Sequence, residues 1–311
     1  MDQPNSTSQA AESQDLNSLQ RLDPSPIDTP PELDKQLPDL SPASLPRRST
    51  TLGLSGSGHG AVYYLTRLQR YSSYAFTIFA SFHITNTAIL PLITQSVPSS
   101  ESYLLLTRPY YQSTFGEPLL IILPLFTHIV AGLVLRIHRR NASISRYGAA
   151  DLSAAARLAT KTHVWPPIST ISICGYILTP LVLGHAFVNR ILPWWIDGGS
   201  SGVGLGYVSH GFAKHPAISW TGYTALVAVA SGHIVWGWAK WLDWTPVGRG
   251  QLSSSGKRGK RRWWAINGIA GLIAAVWMAG GLGIVGRGGK GVGWEAKAWD
   301  ELYSRIPLVK L

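Results

Sequence analysis

The sequence predicts an all-α membrane protein with five transmembrane helices. Four of them form a duplicated two-plus-two bundle that carries histidines, preceded by a disordered N-terminal tail. Three observations carry this expectation. Of 311 residues, 45% are hydrophobic and only 14% charged, against about 25% charged in an average soluble domain. The apolar residues come in five blocks of ~20, long enough to cross a bilayer as helices. Four histidines fall inside those blocks at repeated spacings.

Taken in order, residues 1–61 are rich in Ser, Pro, Asp and Gln and show neither helical nor strand periodicity. Such a stretch buries too little apolar surface to offset its ordering entropy, so a disordered tail is expected. Asp2, Glu12 and Asp15 precede the first arginine and no apolar core follows. That excludes a secretory signal and an acid-poor mitochondrial presequence, leaving targeting to the membrane segments. A transmembrane domain covers 62–287, with spans near 71–93, 117–137, 168–192, 217–240 and 263–286. Pro124 and Pro180 interrupt two of them, which membrane helices tolerate when neighbours re-satisfy the backbone. The fifth span has no histidine, and its Gly268, Gly271, Ala274, Ala275, Gly280 and Gly281 favour close packing. The run from Gly286 to Gly291 matches a dinucleotide fingerprint formally. It follows a membrane helix rather than a strand, so a flexible linker is expected. Residues 288–311 form a C-terminal tail in which Trp299, Leu302, Tyr303 and Ile306 recur at helical spacing. That pattern reads as a short interfacial amphipathic helix.

The net charge of +11 is not spread evenly. Arg136, Arg139, Arg140, Arg146, Arg157 and Lys161 cluster after the second span, and Lys257, Arg258, Lys260, Arg261 and Arg262 before the fifth. The loops after spans one and three carry only Glu101, Arg108, Arg190, Asp197 and Lys214. Alternating basic and near-neutral loops are a topology signal, not a nucleic-acid groove. They place the N-terminus on the cytosolic face. The single Cys174 lies inside a span, so there is no disulfide framework.

The histidines carry the chemistry. Tyr74, His83, Asn86 and Leu90-Pro91 are echoed by Tyr176, His185, Asn189 and Leu192-Pro193. His128-Ile-Val-Ala-Gly132 is echoed by His233-Ile-Val-Trp-Gly237. The offsets are 102 and 105 residues, which reads as an internal duplication. Imidazoles in hydrocarbon are costly unless they face the interior, so all four are expected inward, at similar depth, around one polar site. His83 is expected level with His185, and His128 with His233. Facing imidazoles with glycine clearance suit axial ligation of a haem b. An inter-helix hydrogen-bond network that merely fixes packing is the alternative. No carboxylate or thiolate lies at that depth to complete a zinc site.

The stretch Leu68-Gln-Arg-Tyr-Ser-Ser-Tyr-Ala-Phe76, leading to His83 and Asn86, resembles the fungal mitochondrial outer-membrane adapters of the Mcp type. The resemblance covers about 62–286. It implies a membrane domain similar to the cytochrome b anchors of succinate and fumarate dehydrogenases. It also implies a non-enzymatic adapter that recruits a bridge-like lipid-transfer protein of the vacuolar-sorting class to membrane contact sites. The family's recruiting Pro-x-Pro motif is matched by Pro24-Ser25-Pro26, flanked by Leu22 and Ile27. Besides the adapter, two further activities are expected, the first as an alternative to it and the second as an added activity of the adapter's own bundle. One is a b-type cytochrome using His83, His128, His185 and His233. The other is phospholipid scrambling along the polar residues of the spans, Asn86, Thr87 and Asn189 among them.

Overall fold

The structure is a computed structural model that describes residues 60–146, 153, 165, 168–246 and 256–306. The motif expected at Leu22, Pro24, Pro26 and Ile27 lies outside the described residues. Every regular element among those described is helical. Five helical stretches are long and apolar enough to span a bilayer, at Ala61–Thr94, Pro118–Ile144, Thr170–Asp197, Pro216–Trp241 and Lys257–Val285. The protein is a multi-pass membrane protein.

The first span comprises α1 (Ala61–Ile84), a π-helical turn π1 (Thr85–Ile89) and α2 (Leu90–Thr94). A 16-residue helix, α3 (Val97–Gln112), follows outside the spans. The second span is π2 (Pro118–Ile122) and α4 (Leu123–Arg146). The third is α5 (Thr170–Ala186), π3 (Phe187–Ile191) and α6 (Leu192–Asp197). After α7 (Leu205–Lys214), the fourth span is the single helix α8 (Pro216–Trp241). The fifth is α9 (Lys257–Gly280) with π4 (Gly281–Val285), and α10 (Gly293–Ser304) closes the described chain.

The sequence explains three of the π turns. Each ends on a Leu-Pro pair: Leu90-Pro91, Leu123-Pro124 and Leu192-Pro193. A proline inside a helix lacks the N–H and crowds the carbonyl four residues back. A widened turn absorbs both defects. The leucine N–H bonds the carbonyl five residues back, at Thr85, Pro118 and Phe187 respectively. π1 and π3 stand 102 residues apart, the offset that separates His83 from His185. Pro91 and Pro193 are fully buried, so their rings pack against protein rather than lipid.

Helix α1 packs along α4, α5 along α8, and α9 along both α8 and π1. The last contact depends on Gly280. A Cβ there would meet the Ala88 carbonyl oxygen at 1.8 Å, and one on Gly281 would lie 3.5 Å from the Thr87 carbonyl oxygen. Gly268 and Gly271, expected to share that role, face open space. Large apolar side chains point outward, as bilayer-facing surfaces require: Phe126 is 66% exposed and Leu272 65%.

The tightest packing lies at one end. Helices α3, α7 and α10, reached after the first, third and fifth spans, come together there as a cap. α7 buries Leu205, Tyr207, Ser209, His210, Gly211 and Phe212. Leu302, Tyr303 and Ile306 close one cluster with Leu192, Val203 and Tyr207. The apolar face of α10 is therefore taken up by protein, where the sequence suggested a lipid interface. Tyr303 stacks on Tyr207 at 4.6 Å and donates its hydroxyl to the Tyr207 carbonyl. Burial raises the pKa of both phenols, which keeps them neutral.

The Gly286–Gly291 connection is packed rather than slack. Cβ atoms on Gly286, Gly288 and Gly291 would fall within 2.7 Å of Leu282, Ser209 and Trp299 respectively. Gly291 N–H donates to Nδ1 of His210 (3.1 Å), so that imidazole's proton sits on Nε2 and is donated to Asp300 (2.9 Å). Lys214 adds a second contact to the same carboxylate at 3.0 Å. These donors, His210 first, hold the Asp300 carboxyl below its ordinary range.

Candidate functional site: two histidine tiers

The four membrane histidines meet in the pairs expected, across helices. His83 and His185 have ring centroids 5.8 Å apart and perpendicular to within 14°. His128 and His233 lie 6.1 Å apart at 90°. The single central site is not what forms. His128 Nδ1 bonds the carbonyl of Gln69 and His233 Nδ1 that of Ile171 (3.0 and 3.1 Å). Each of those carbonyls lies fourteen residues before the histidine of the other pair on the same helix. On α8, Tyr223, whose ring touches His185, comes ten residues before His233. At 1.5 Å rise per residue the pairs are therefore roughly 15–20 Å apart along the bundle. The site is two tiers.

The physical reason is helix length. The first span has 34 residues, about 51 Å of helix against a hydrocarbon core of about 30 Å. Hydropathy then fixes that a helix crosses, but not which of its residues lies opposite which neighbour. π2 at the start of the second span packs against α1 rather than against α2. His128 is thereby displaced toward the basic end.

In that basic-end tier, proton placement follows from the partners. A carbonyl oxygen only accepts, so Nδ1 of His128 and of His233 carries the hydrogen and Nε2 keeps a lone pair. Glycines next to these rings play unequal parts. A Cβ on Gly175 would lie 3.0 Å from Cε1 of His233. Gly132 does not leave space beside its histidine, because the Gln69 amide fills it, 2.8 Å from where a Cβ would sit. Gly237 has nothing within 4 Å. Tyr74 stacks on Trp238 at 5.0 Å and flanks this level.

The cap-side tier is built differently. His83 stacks on Phe79 (5.3 Å) and His185 meets Tyr223 edge-on (5.5 Å). The Asn189 amide nitrogen donates to the His185 carbonyl (2.8 Å) and the Tyr223 hydroxyl (3.1 Å). It also lies 3.3 Å from His185 Nδ1. With two hydrogens for three acceptors, the amide shares one between the Tyr223 hydroxyl and His185 Nδ1; an amide nitrogen does not accept, so the ring proton sits on Nε2. Asn86 is 1% exposed; its amide bonds the Phe82 carbonyl at 2.7 Å, while its Oδ1 has no partner. Among the described residues no group of three or more His, Cys, Asp or Glu is placed to hold a metal ion.

Sequence reading missed the polar ties of the cap. Glu101 accepts from the Leu205 and Gly206 N–H groups and caps α7 (2.6 and 3.2 Å). Arg190 forms a two-pronged pair with Glu117, Nε to Oε1 at 2.8 Å and Nη2 to Oε2. Arg108 donates to the Val203 and Ser201 carbonyls. The near-neutral charge of those loops was the available signal. Of these charges only Arg190 and Glu117 pair with each other; Glu101 and Arg108 are held by backbone groups.

Five spans, two inter-helix histidine pairs and a folded cap define a polytopic helical membrane protein. Residues 180–290 match the family model described as the MDM10-complementing protein 1 transmembrane domain. Residues 180–290 are thus similar to a transmembrane domain of the Mcp1 type. No curated protein and no solved structure matches it.

Proposed function

We propose that this protein is a non-enzymatic adapter of the mitochondrial outer membrane, with its N-terminus in the cytosol. Its tail docks a bridge-like lipid-transfer protein at membrane contact sites and so supports mitochondrial lipid homeostasis. The observation that carries this reading is the Mcp1-type domain at 180–290, set behind 60 residues that contain Pro24-Ser25-Pro26. Short extended motifs dock by adding a strand to a sheet edge, and prolines limit the entropy lost on ordering. Leu22 and Ile27 supply the side chains for specificity pockets. Phospholipid scrambling by the bundle is a second activity in keeping with this role. The test of recruitment is the double variant Pro24→Ala, Pro26→Ala. Co-precipitation of the lipid-transfer partner is lost while membrane insertion is unchanged; retention of the partner at the wild-type level overturns the motif.

A second reading, haem binding, is favoured by one observation: His128 and His233 present unprotonated Nε2 atoms with ring centroids 6.1 Å apart. Two imidazoles with open Nε2 atoms on neighbouring helices are the donor set that a haem b takes. Bound haem supplies one-electron redox chemistry. His128 and His233 would hold it, with the Gln69 and Ile171 carbonyls orienting the rings through Nδ1. The protein purified under ample haem supply tests this reading: a Soret band supports it, and a featureless spectrum removes it.

A further inference from the structure

An open cleft of about 390 Å³ lies at the cap end of the bundle, lined by Arg108, Arg190, Gln112, Ser200, Leu105 and Pro109 among others. That volume is within the range of small-molecule sites, roughly 300–1,000 Å³. Its charges do not cancel. Glu117 neutralises Arg190, in the two-pronged geometry that makes such pairs strong. Arg108 is held by the carbonyls of Ser201 and Val203, which carry no formal charge. The nearby Glu101 carboxylate is committed to the N–H groups that open α7, where the helix dipole stabilises it. No carboxylate lines the cleft opposite Arg108, and Glu101 attracts it only from outside the lining.

Donors remain as well. A guanidinium has five N–H groups. Two bonds to Ser201 and Val203 leave three free on Arg108; three bonds to Glu117 and Ser200 leave two on Arg190. The surroundings are apolar and outward-facing. Leu106 and Tyr110 are 70% and 71% exposed beside the cleft. Tyr103, Phe115, Trp194 and Trp195 are also exposed nearby in sequence. Aromatic residues of this kind gather at headgroup level. An occupant must then be anionic at one end and attached to hydrocarbon at the other.

We propose that the Arg108–Arg190 cleft binds the phosphodiester of a glycerophospholipid in the leaflet next to the cap. The phosphate oxygens take the free N–H groups of both arginines, and the acyl chains run out past Leu105 and Pro109 to the bilayer. The site holds whether or not the tail docks a partner, so the two readings fail separately.

The experiment uses the full chain in nanodiscs with phosphatidylglycerol bearing a photoactivatable acyl chain. Diacylglycerol with the same label is the phosphate-free control, and inorganic phosphate is the competitor. Adducts are mapped by peptide mass spectrometry. Labelling of residues 105–112 and 199–201 by phosphatidylglycerol should exceed that by diacylglycerol about tenfold, the value of one charge-assisted contact. Gln112→Glu puts a carboxylate into the cleft and, since the Gln112 side chain makes no hydrogen bond among the described residues, removes none. It should lower the labelling about tenfold with the melting temperature unchanged, and Arg108→Gln should lower it as well. Equal labelling by the two lipids, or wild-type labelling of Gln112→Glu, overturns the proposal. Loss of lipid labelling in millimolar inorganic phosphate overturns it in favour of a free-phosphate site.

Discussion

At the basic end of the bundle, His128 and His233 each donate Nδ1–H to a carbonyl on the neighbouring helix and keep Nε2 lone pairs. Toward the cap, His185 accepts on Nδ1 from Asn189, and His83 is flanked by Phe79. His185 thus carries its proton on Nε2, whereas His128 and His233 carry theirs on Nδ1. The lesson is that a membrane imidazole is defined by what its other nitrogen touches. A backbone carbonyl makes a ligand-ready ring; a side-chain amide makes a hydrogen-bond donor fixed in a network.

The largest expected effect separates the tiers outright. If haem loads the bundle, His128→Leu or His233→Leu eliminates the Soret band, whereas His185→Leu retains it. Loss of the band in His185→Leu would erase the distinction. Next comes packing around the basic-end pair. Gly175→Val forces a branched side chain onto the His233 ring and should cost about 1–3 kcal/mol in detergent melting. Gly132→Ala meets only the far end of the flexible Gln69 side chain and should cost less than about 1 kcal/mol. Equal costs would mean that the two glycines are not used differently.

On the cap side, Asn189→Leu removes the donor to Tyr223 and frees His185 Nδ1. A loss of about 1 kcal/mol is expected, since inter-helix hydrogen bonds in membranes average about 0.6 kcal/mol. An unchanged melting temperature would show that this network does not hold the tier. The smallest effect is a pH dependence in the cap. Asp300 titrates below its ordinary value because His210, and then Lys214, donate to it. Its stabilising contribution is present above the unfolded carboxylate pKa of about 4 and fades as pH falls through the lowered folded value. Loss of amide protection in 293–304, measured against the intrinsic exchange rate at each pH, should therefore rise in solution more acid than about pH 4. Asp300→Asn should flatten that rise; an unaltered profile would assign the acid sensitivity elsewhere.

Much of this was legible in the sequence, and what was not has identifiable causes. Five spans follow from long apolar blocks, and the pairing of His83 with His185 and of His128 with His233 follows from the repeated spacing. Leu90-Pro91 and Leu192-Pro193 were visible as repeats, but not that each ends a π turn. The separation into tiers was hidden because the partners of His128 and His233 are backbone atoms. Gln69 and Ile171 share a position and no chemistry, so side-chain identity gives no sign of the bond. The cap was hidden for a related reason: Glu101, Arg108, Glu117 and Arg190 find partners across 73 to 105 residues of sequence. Spacing within a helix says nothing about such contacts.

Both tiers lie inside the membrane domain, whereas the proposed docking motif lies in the tail. Whether the bundle serves recruitment only as an anchor is decided by moving residues 1–60 onto an unrelated outer-membrane anchor in cells that lack this protein. The measurement is co-localisation of the lipid-transfer protein with mitochondria. The tail on the foreign anchor should recruit the partner as fully as the intact chain does, and the Pro24→Ala, Pro26→Ala version should not. Recruitment that still requires the bundle, with the foreign-anchored tail inert, would contradict the division into anchor and docking motif.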